Sequence, residues 1–194
     1  EPFEIATNLV TNAEVVAFIE DGGYDQPGLW MSEGYALIMR DGWRAPMGWF
    51  PGKRGWLEHT LDGVVDLDLL APARHLSWFE ADALARWSGA RLPSESEWEL
   101  AAPEPKSPDA AGWYGAVWQW TQSPYVAYPG FDPPPGALGE YNGKFMVNQM
   151  VLRGSSLATP PGHARRTYRN FFPTSARWVF AGLRLARDVA GATS

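Results

Sequence analysis

The sequence contains no cysteine and only three histidines in 194 residues. Without a thiol, disulfide bridges, thiolate zinc sites, iron–sulfur clusters and cysteine nucleophiles are excluded. His59, His75 and His163 stand far apart, in no HxxxH, HExxH or HxH spacing, so a metal site built by this chain alone has no support from spacing. Basic residues are the minority, 16 Lys and Arg against 22 Asp and Glu, and no basic run offsets the net charge of −6. Nucleic acid therefore finds no electrostatic footprint. Apolar stretches are short and broken by charge, so none is long enough to cross a bilayer as a helix, and no secretory apolar region stands near Glu1. There is no GxGxxG or Walker-type GxxxxGK run to cradle phosphates, and Ser77, His75 and Asp82 lack the GxSxG elbow of a serine hydrolase. These absences lead us to expect a cytoplasmic chain with no membrane or nucleic-acid partner.

What is present describes one globular domain: 45% hydrophobic and 20% charged residues, with 20 Gly, 17 Pro and eleven Trp, a composition rich in loops and indole rings. Three helix starts share the capping box, in which Ser or Thr and a Glu three residues on satisfy each other's orphan N–H groups. Thr11 with Glu14 opens a helix over 12–21, stopped by Gly22 and Gly23. Ser77 with Glu80 opens one to about Ser88, with Trp78, Ala81, Leu84 and Ala85 at helical spacing. Ser94 with Glu97 opens a short one that Pro103 ends. Short strands are expected over 4–8, 73–76, 117–122, 149–153 and 181–186. The stretches 24–70 and 124–144 show little periodicity and read as long loops.

Two loop-like segments mix aromatic rings, amides and charges, Gly139 to Phe145 and Arg165 to Phe172. A site for a small zwitterion needs that mixture, aromatic faces for a cation and amides or cationic groups for a carboxylate. The competing reading is the packing of a loop-rich core with arginines bonding carbonyls, and pattern alone leaves both open.

Longer runs carry a resemblance over nearly the whole chain. Phe18-Ile19-Glu20-Asp21-Gly22-Gly23-Tyr24 and Arg91-Leu92-Pro93-Ser94-Glu95-Ser96-Glu97-Trp98 resemble the formylglycine-generating-enzyme superfamily. Gly139-Glu140-Tyr141-Asn142-Gly143-Lys144-Phe145, Val151-Leu152-Arg153-Gly154, Tyr168-Arg169-Asn170-Phe171-Phe172 and Gly182-Leu183-Arg184-Leu185-Ala186-Arg187 resemble the C-terminal domain of its ergothioneine-pathway branch, the iron-dependent sulfoxide synthases. The resemblance implies an irregular, C-type-lectin-like α+β fold. It also implies the oxygen-dependent joining of a thiol, cysteine or γ-glutamylcysteine, to Nα-trimethylhistidine at non-haem Fe(II). In that family an HxxxHxE motif of a separate N-terminal helical domain holds the iron, and this sequence has no such motif. The expectation is a catalytic half, residues 1–194 forming one domain that lacks its lead-in and needs the iron-binding domain of the same polypeptide or of a separate subunit.

The resemblance carries over to few residues. Asn170, Phe171 and Phe172 match positions lining the trimethylhistidine pocket. Tyr141 and Trp178 are further pocket candidates, and Arg165 or Arg166 is a candidate for a substrate carboxylate or for an ion pair within the fold. Phe171-Phe172 replaces a Trp-Asp of another branch, which favours free cysteine as thiol donor. Where formylglycine-generating enzymes carry their cysteine pair, 157–164, this chain has Thr159 and no thiol, so copper–thiolate oxidation is not expected. Their calcium-binding segment resembles Gly115 to Trp120, but neutral Gln119 stands at the carboxylate position, and the site is expected to be weak or empty. The competing function is a non-catalytic, C-type-lectin-like ligand-binding module.

Overall fold

The computed structural model describes residues 2–137 and 143–189. All three capping boxes form. Thr11 starts α1 (Asn12–Glu20), Ser77 starts α3 (Trp78–Trp87) and Ser94 starts α4 (Glu95–Ala101), each accepting from the backbone N–H of its Glu three residues on while that carboxylate accepts from the cap's own N–H. None of the helices among the described residues is long and apolar enough to cross a membrane.

The remaining helix, α2 (Ser32–Asp41), lies in a stretch that reads as aperiodic. It has no side-chain cap, and Gly34 in its interior is a residue that disfavours helix. Packing accounts for the glycine: a Cβ on Gly34 would lie 2.7 Å from the Phe79 ring, so α2 lies against Phe79 of α3 where a side chain is missing. The same stretch holds an antiparallel meander, β2 (Trp49–Gly52), β3 (Gly55–Thr60) and β4 (Gly63–Asp66). Its strands lack clean alternation because both faces of β4 are open to solvent, the neighbours Val64 and Val65 being exposed on opposite sides, while Glu58 of β3 is buried in an ion pair with Arg74.

The central sheet runs in the order β7 (Asn170–Pro173), β6 (Gln149–Gly154), β5 (Trp118–Pro124), β8 (Ala181–Gly182), and a two-stranded ribbon joins β1 (Phe3–Ile5) to β9 (Ala186–Asp188). The single strand expected over 181–186 is thus split. Leu183 and Leu185 carbonyls bond Val10 and Ala6 N–H groups while the chain passes from one sheet to the other. No strand forms over 73–76, because His75 takes a left-handed conformation, φ 62°, that interrupts an extended run. The architecture is α+β, with α3 and α4 packed on the central sheet around Trp120, Leu152 and Leu183.

One buried charge fastens these parts together. Glu80, 1% exposed, accepts from the Ser77 hydroxyl and N–H, from the Tyr24 hydroxyl at 2.7 Å, and from both arms of Arg177 at 2.9 and 3.1 Å. Burial, with the carboxylate beside it, pushes the Tyr24 phenol well above its usual range, so it stays a donor. Glu80→Ala leaves a buried guanidinium without its partner and is expected to cost about 3–5 kcal/mol, measured by chemical denaturation. A cost below 1 kcal/mol would contradict this account. At the surface, the Arg91 guanidinium grips Glu97 in two bonds of 2.7 Å and holds its carboxyl below the usual range. A lowered folded value means stability fully present above the unfolded value of about 4.3 and lost as pH falls from there through the lower folded value. Arg91→Met is therefore expected to flatten the acid limb of the stability profile.

Candidate functional site

Strand β7 is the element that sorts the sequence candidates, because side chains alternate across a strand. Asn170 and Phe172 point to one face and line a cavity of about 390 Å³. Phe171 points to the other, stacked on Tyr125 with ring centroids 4.0 Å apart and tilted only 9°, with Phe145 at 6.0 Å. The sequence run that suggests one pocket is divided between a cavity wall and a packed aromatic layer.

Trp178 joins Asn170 and Phe172 at the cavity. Its indole meets Phe172 edge-on at 5.1 Å and is 64% exposed. Trp118 and Phe180 complete the aromatic lining, while Ser156, Thr159 and His163 add polar groups to the lining. Thr159 Oγ1 accepts from the Ser156 N–H at 3.0 Å. The Asn170 amide oxygen accepts from Phe171 N–H at 3.0 Å, and its Nδ2 donates to no group among the described residues.

The arginine candidates separate as well. Arg165 lies over the Tyr168 ring at 5.3 Å, and Tyr168 also contacts His163 at 5.1 Å and Trp118 at 5.5 Å, which places Arg165 behind the cavity wall. Arg166 instead pairs with Glu104 at 3.2 Å and borders a different cavity with Glu99 and Tyr128. Tyr141 lies outside the described residues. What sequence reading missed as site residues are Trp118, Ser156, His163 and Phe180. Of these only His163 had a signal in the sequence, its position inside 157–164, the segment that the family resemblance matches to the cysteine pair of formylglycine-generating enzymes; Trp118, Ser156 and Phe180 had none.

A larger cavity, about 790 Å³, adjoins the first and shares Trp178 and Phe180 with it. His59, Arg74 and His75 supply its polar side. The His75 imidazole bonds the Arg177 carbonyl at 3.2 Å and burial holds its pKa below the usual value, so the neutral ring carries its proton on Nδ1. Arg74 is committed to Glu58 through two bonds of 2.8 and 2.9 Å. His59 and His75 line the larger cavity and His163 the smaller one, and no three His, Asp or Glu side chains among the described residues converge as metal ligands. The donors among the described residues therefore do not make up the three-ligand set an iron centre needs.

Behind β7 an ionic layer fixes its position. Arg169 makes two bonds to buried Glu95, 2.8 and 2.9 Å, and is flanked by the rings of Tyr128 and Tyr125 at 4.2 and 4.8 Å. Arg153, fully buried on β6, bonds Glu99 and the Arg166 carbonyl.

Comparison with known proteins agrees with this architecture. The solved structure of PvdO from Pseudomonas aeruginosa superposes with a TM-score of 0.53 at 19% identity, covering 97% of this chain and 81% of that one, a likeness of fold. Hercynine oxygenases of Mycolicibacterium smegmatis and Mycobacterium tuberculosis are 36% and 35% identical, each matching 96% of this chain and 53% of its own length. The formylglycine-generating enzyme of Streptomyces coelicolor is 34% identical over 52% of this chain and 36% of its own length. The chain spans about half the length of the hercynine oxygenases it matches. A family model for the sulfatase-modifying factor enzyme 1-like domain matches residues 1–110, and the chain, an α+β domain of the formylglycine-generating-enzyme type, belongs to that family.

Proposed function

We propose that this chain is the substrate-binding half of a hercynine oxygenase, an O₂-dependent sulfoxide synthase that joins a thiol to Nα-trimethylhistidine in ergothioneine biosynthesis. The observation that carries the proposal is the convergence of Phe172, Trp178, Trp118 and Asn170 on one cavity of about 390 Å³. The similarity to two hercynine oxygenases over 96% of the chain supports it.

The chemistry of the walls suits that ligand. A trimethylammonium group has no N–H to donate, so it is held by aromatic faces, each worth roughly 0.5–2 kcal/mol according to desolvation. Asn170 offers its Nδ2 to the polar end of the substrate, and Ser156 and Thr159 add hydroxyls on the cavity wall. The volume is in the range of small-molecule sites. Fe(II) in the complete enzyme supplies the oxygen chemistry. This reading assigns its ligands to an N-terminal helical domain, in the same polypeptide or a separate subunit, and assigns this chain the holding and orientation of the trimethylated substrate. Phe172 presents hydrocarbon where a related branch has a carboxylate, so the wall lacks a charged contact for a γ-glutamyl group, and free cysteine is the proposed thiol donor. Copper and calcium have no part in this reading, and the cytoplasm is the proposed compartment.

The two faces of β7 provide an internal control. By isothermal titration calorimetry on the intact protein, Phe172→Ala is expected to weaken Nα-trimethylhistidine binding by about 5- to 30-fold, the equivalent of about 1–2 kcal/mol, the upper part of the range for one aromatic face. Phe171→Ala, which removes a stacked ring from the opposite side, is expected to lower the melting temperature and leave the affinity within about twofold. Unchanged affinity in Phe172→Ala overturns the pocket assignment. In turnover assays, cysteine is expected to give the larger kcat/KM than γ-glutamylcysteine, and the reverse ranking overturns the donor assignment.

A further inference from the structure

Arg184 is fully buried and has no carboxylate partner among the described residues, a costly place for a charge. What surrounds it is a set of neutral oxygens. Its Nη1 donates to the Ala6 carbonyl at 2.5 Å, its Nη2 to the Gly112 carbonyl at 2.6 Å, and its Nε to Gln119 Oε1 at 3.1 Å. The guanidinium lies 3.9 Å from the centre of the Trp113 ring. Desolvation lowers its pKa to about 10, still far enough above neutrality to keep the charge.

The same constellation fixes the identity and orientation of residue 119. Trp98 Nε1 also donates to Gln119 Oε1, at 2.7 Å, and Gln119 Nε2 donates to the Trp113 carbonyl at 2.8 Å. Two donors on one side and an acceptor on the other suit an amide, which carries both functions in one planar group.

This is the position at which the family resemblance puts a calcium ligand, and the residues do not fit that ion. Calcium takes six to eight oxygens at about 2.3–2.6 Å and favours carboxylates. Here the carboxylate is an amide, its oxygen already accepts from two donors, and one of those donors is a cation. A divalent ion at this oxygen would be a few ångströms from a guanidinium, where like charges in a medium of low polarisability repel strongly.

We infer that the Arg184 guanidinium is the resident cation of this domain, held by carbonyl and amide oxygens at the position where the family resemblance places a calcium ligand. It ties the chain after β1 (Ala6), the loop before β5 (Gly112 and Trp113) and, through Gln119 and Trp98, helix α4 to the strand exchange at 183–185. An organic cation that belongs to the chain frees this junction from calcium supply. The oxygens gain a partner that neither dissociates nor competes with other divalent ions.

Two variants of the intact protein test this. Arg184→Met keeps much of the stem and removes the charge. It is expected to lower the melting temperature by more than about 5 °C or to prevent folding, since several neutral oxygens lose their donor together. A melting temperature within about 2 °C of the parent overturns the fastening role. Gln119→Glu separates the metal question from folding, because it restores the carboxylate while Arg184 stays. The expected result is a buried ion pair and no rise in melting temperature with about 1 mM Ca²⁺, a concentration that fills weak sites. The parent protein is expected to show no rise either and no stoichiometric calcium by elemental analysis. A calcium-induced rise in either protein, or bound calcium in the parent, overturns the inference. These readouts are independent of trimethylhistidine binding, so they stand or fall apart from the functional proposal.

Discussion

The buried carboxylate of Glu80 is the constraint around which the rest is arranged. It caps α3 through Ser77, takes the hydroxyl of Tyr24 from the turn that follows α1, and receives the guanidinium of Arg177 from the loop between β7 and β8. An ionised carboxylate away from water has to be surrounded by donors, and each donor it recruits comes from a different part of the chain. Arg177 is in turn stacked 4.0 Å over Trp43 and bonded to the Ala45 carbonyl, and its own carbonyl receives His75. The residue that follows is Trp178. The exposed wall shared by the two cavities therefore stands on backbone pinned from below by an ion pair and from the side by an imidazole.

A second ionic layer does the same for β7. Arg169 lies between Glu95 and two tyrosine rings on the reverse side of the strand from Asn170 and Phe172. Charges lie behind the site together with a packed aromatic layer, whereas the lining of the smaller cavity is aromatic and neutral polar, with no Asp, Glu, Lys or Arg among the described residues that line it. This division is consistent with a ligand whose cation cannot donate hydrogen bonds, for which a carboxylate-lined pocket would be less selective than an aromatic one.

How much of this was legible differs from element to element. The helices opened by Thr11, Ser77 and Ser94 are determined within four residues, because a capping box closes on itself without help from the rest of the chain. Helix α2 is invisible to the same reading, since Gly34 counts against a helix until Phe79 is placed against it. The meander 49–66 is hidden for a related reason. Its partly solvated strands bury Glu58 and expose Val64, an inversion of the expected pattern that the Arg74 ion pair makes tolerable. At the site, the run 165–172 holds real candidates, but linear order could not say that Phe171 and Phe172 serve different faces or that Arg166 turns away toward Glu104.

By itself the sequence determined what is local or compositional: three helix starts, the absence of thiol chemistry, and the family, whose motifs are contiguous stretches. Only the tertiary structure decided which aromatic rings make a cavity, that His59 and His75 belong to a different cavity from His163, and that the partner of Gln119 is a guanidinium 65 residues away. The physical reason is range. A cap or a turn is satisfied by neighbours along the chain, whereas a buried charge is satisfied by whatever donors or acceptors the fold brings to it, and those come from every part of this one.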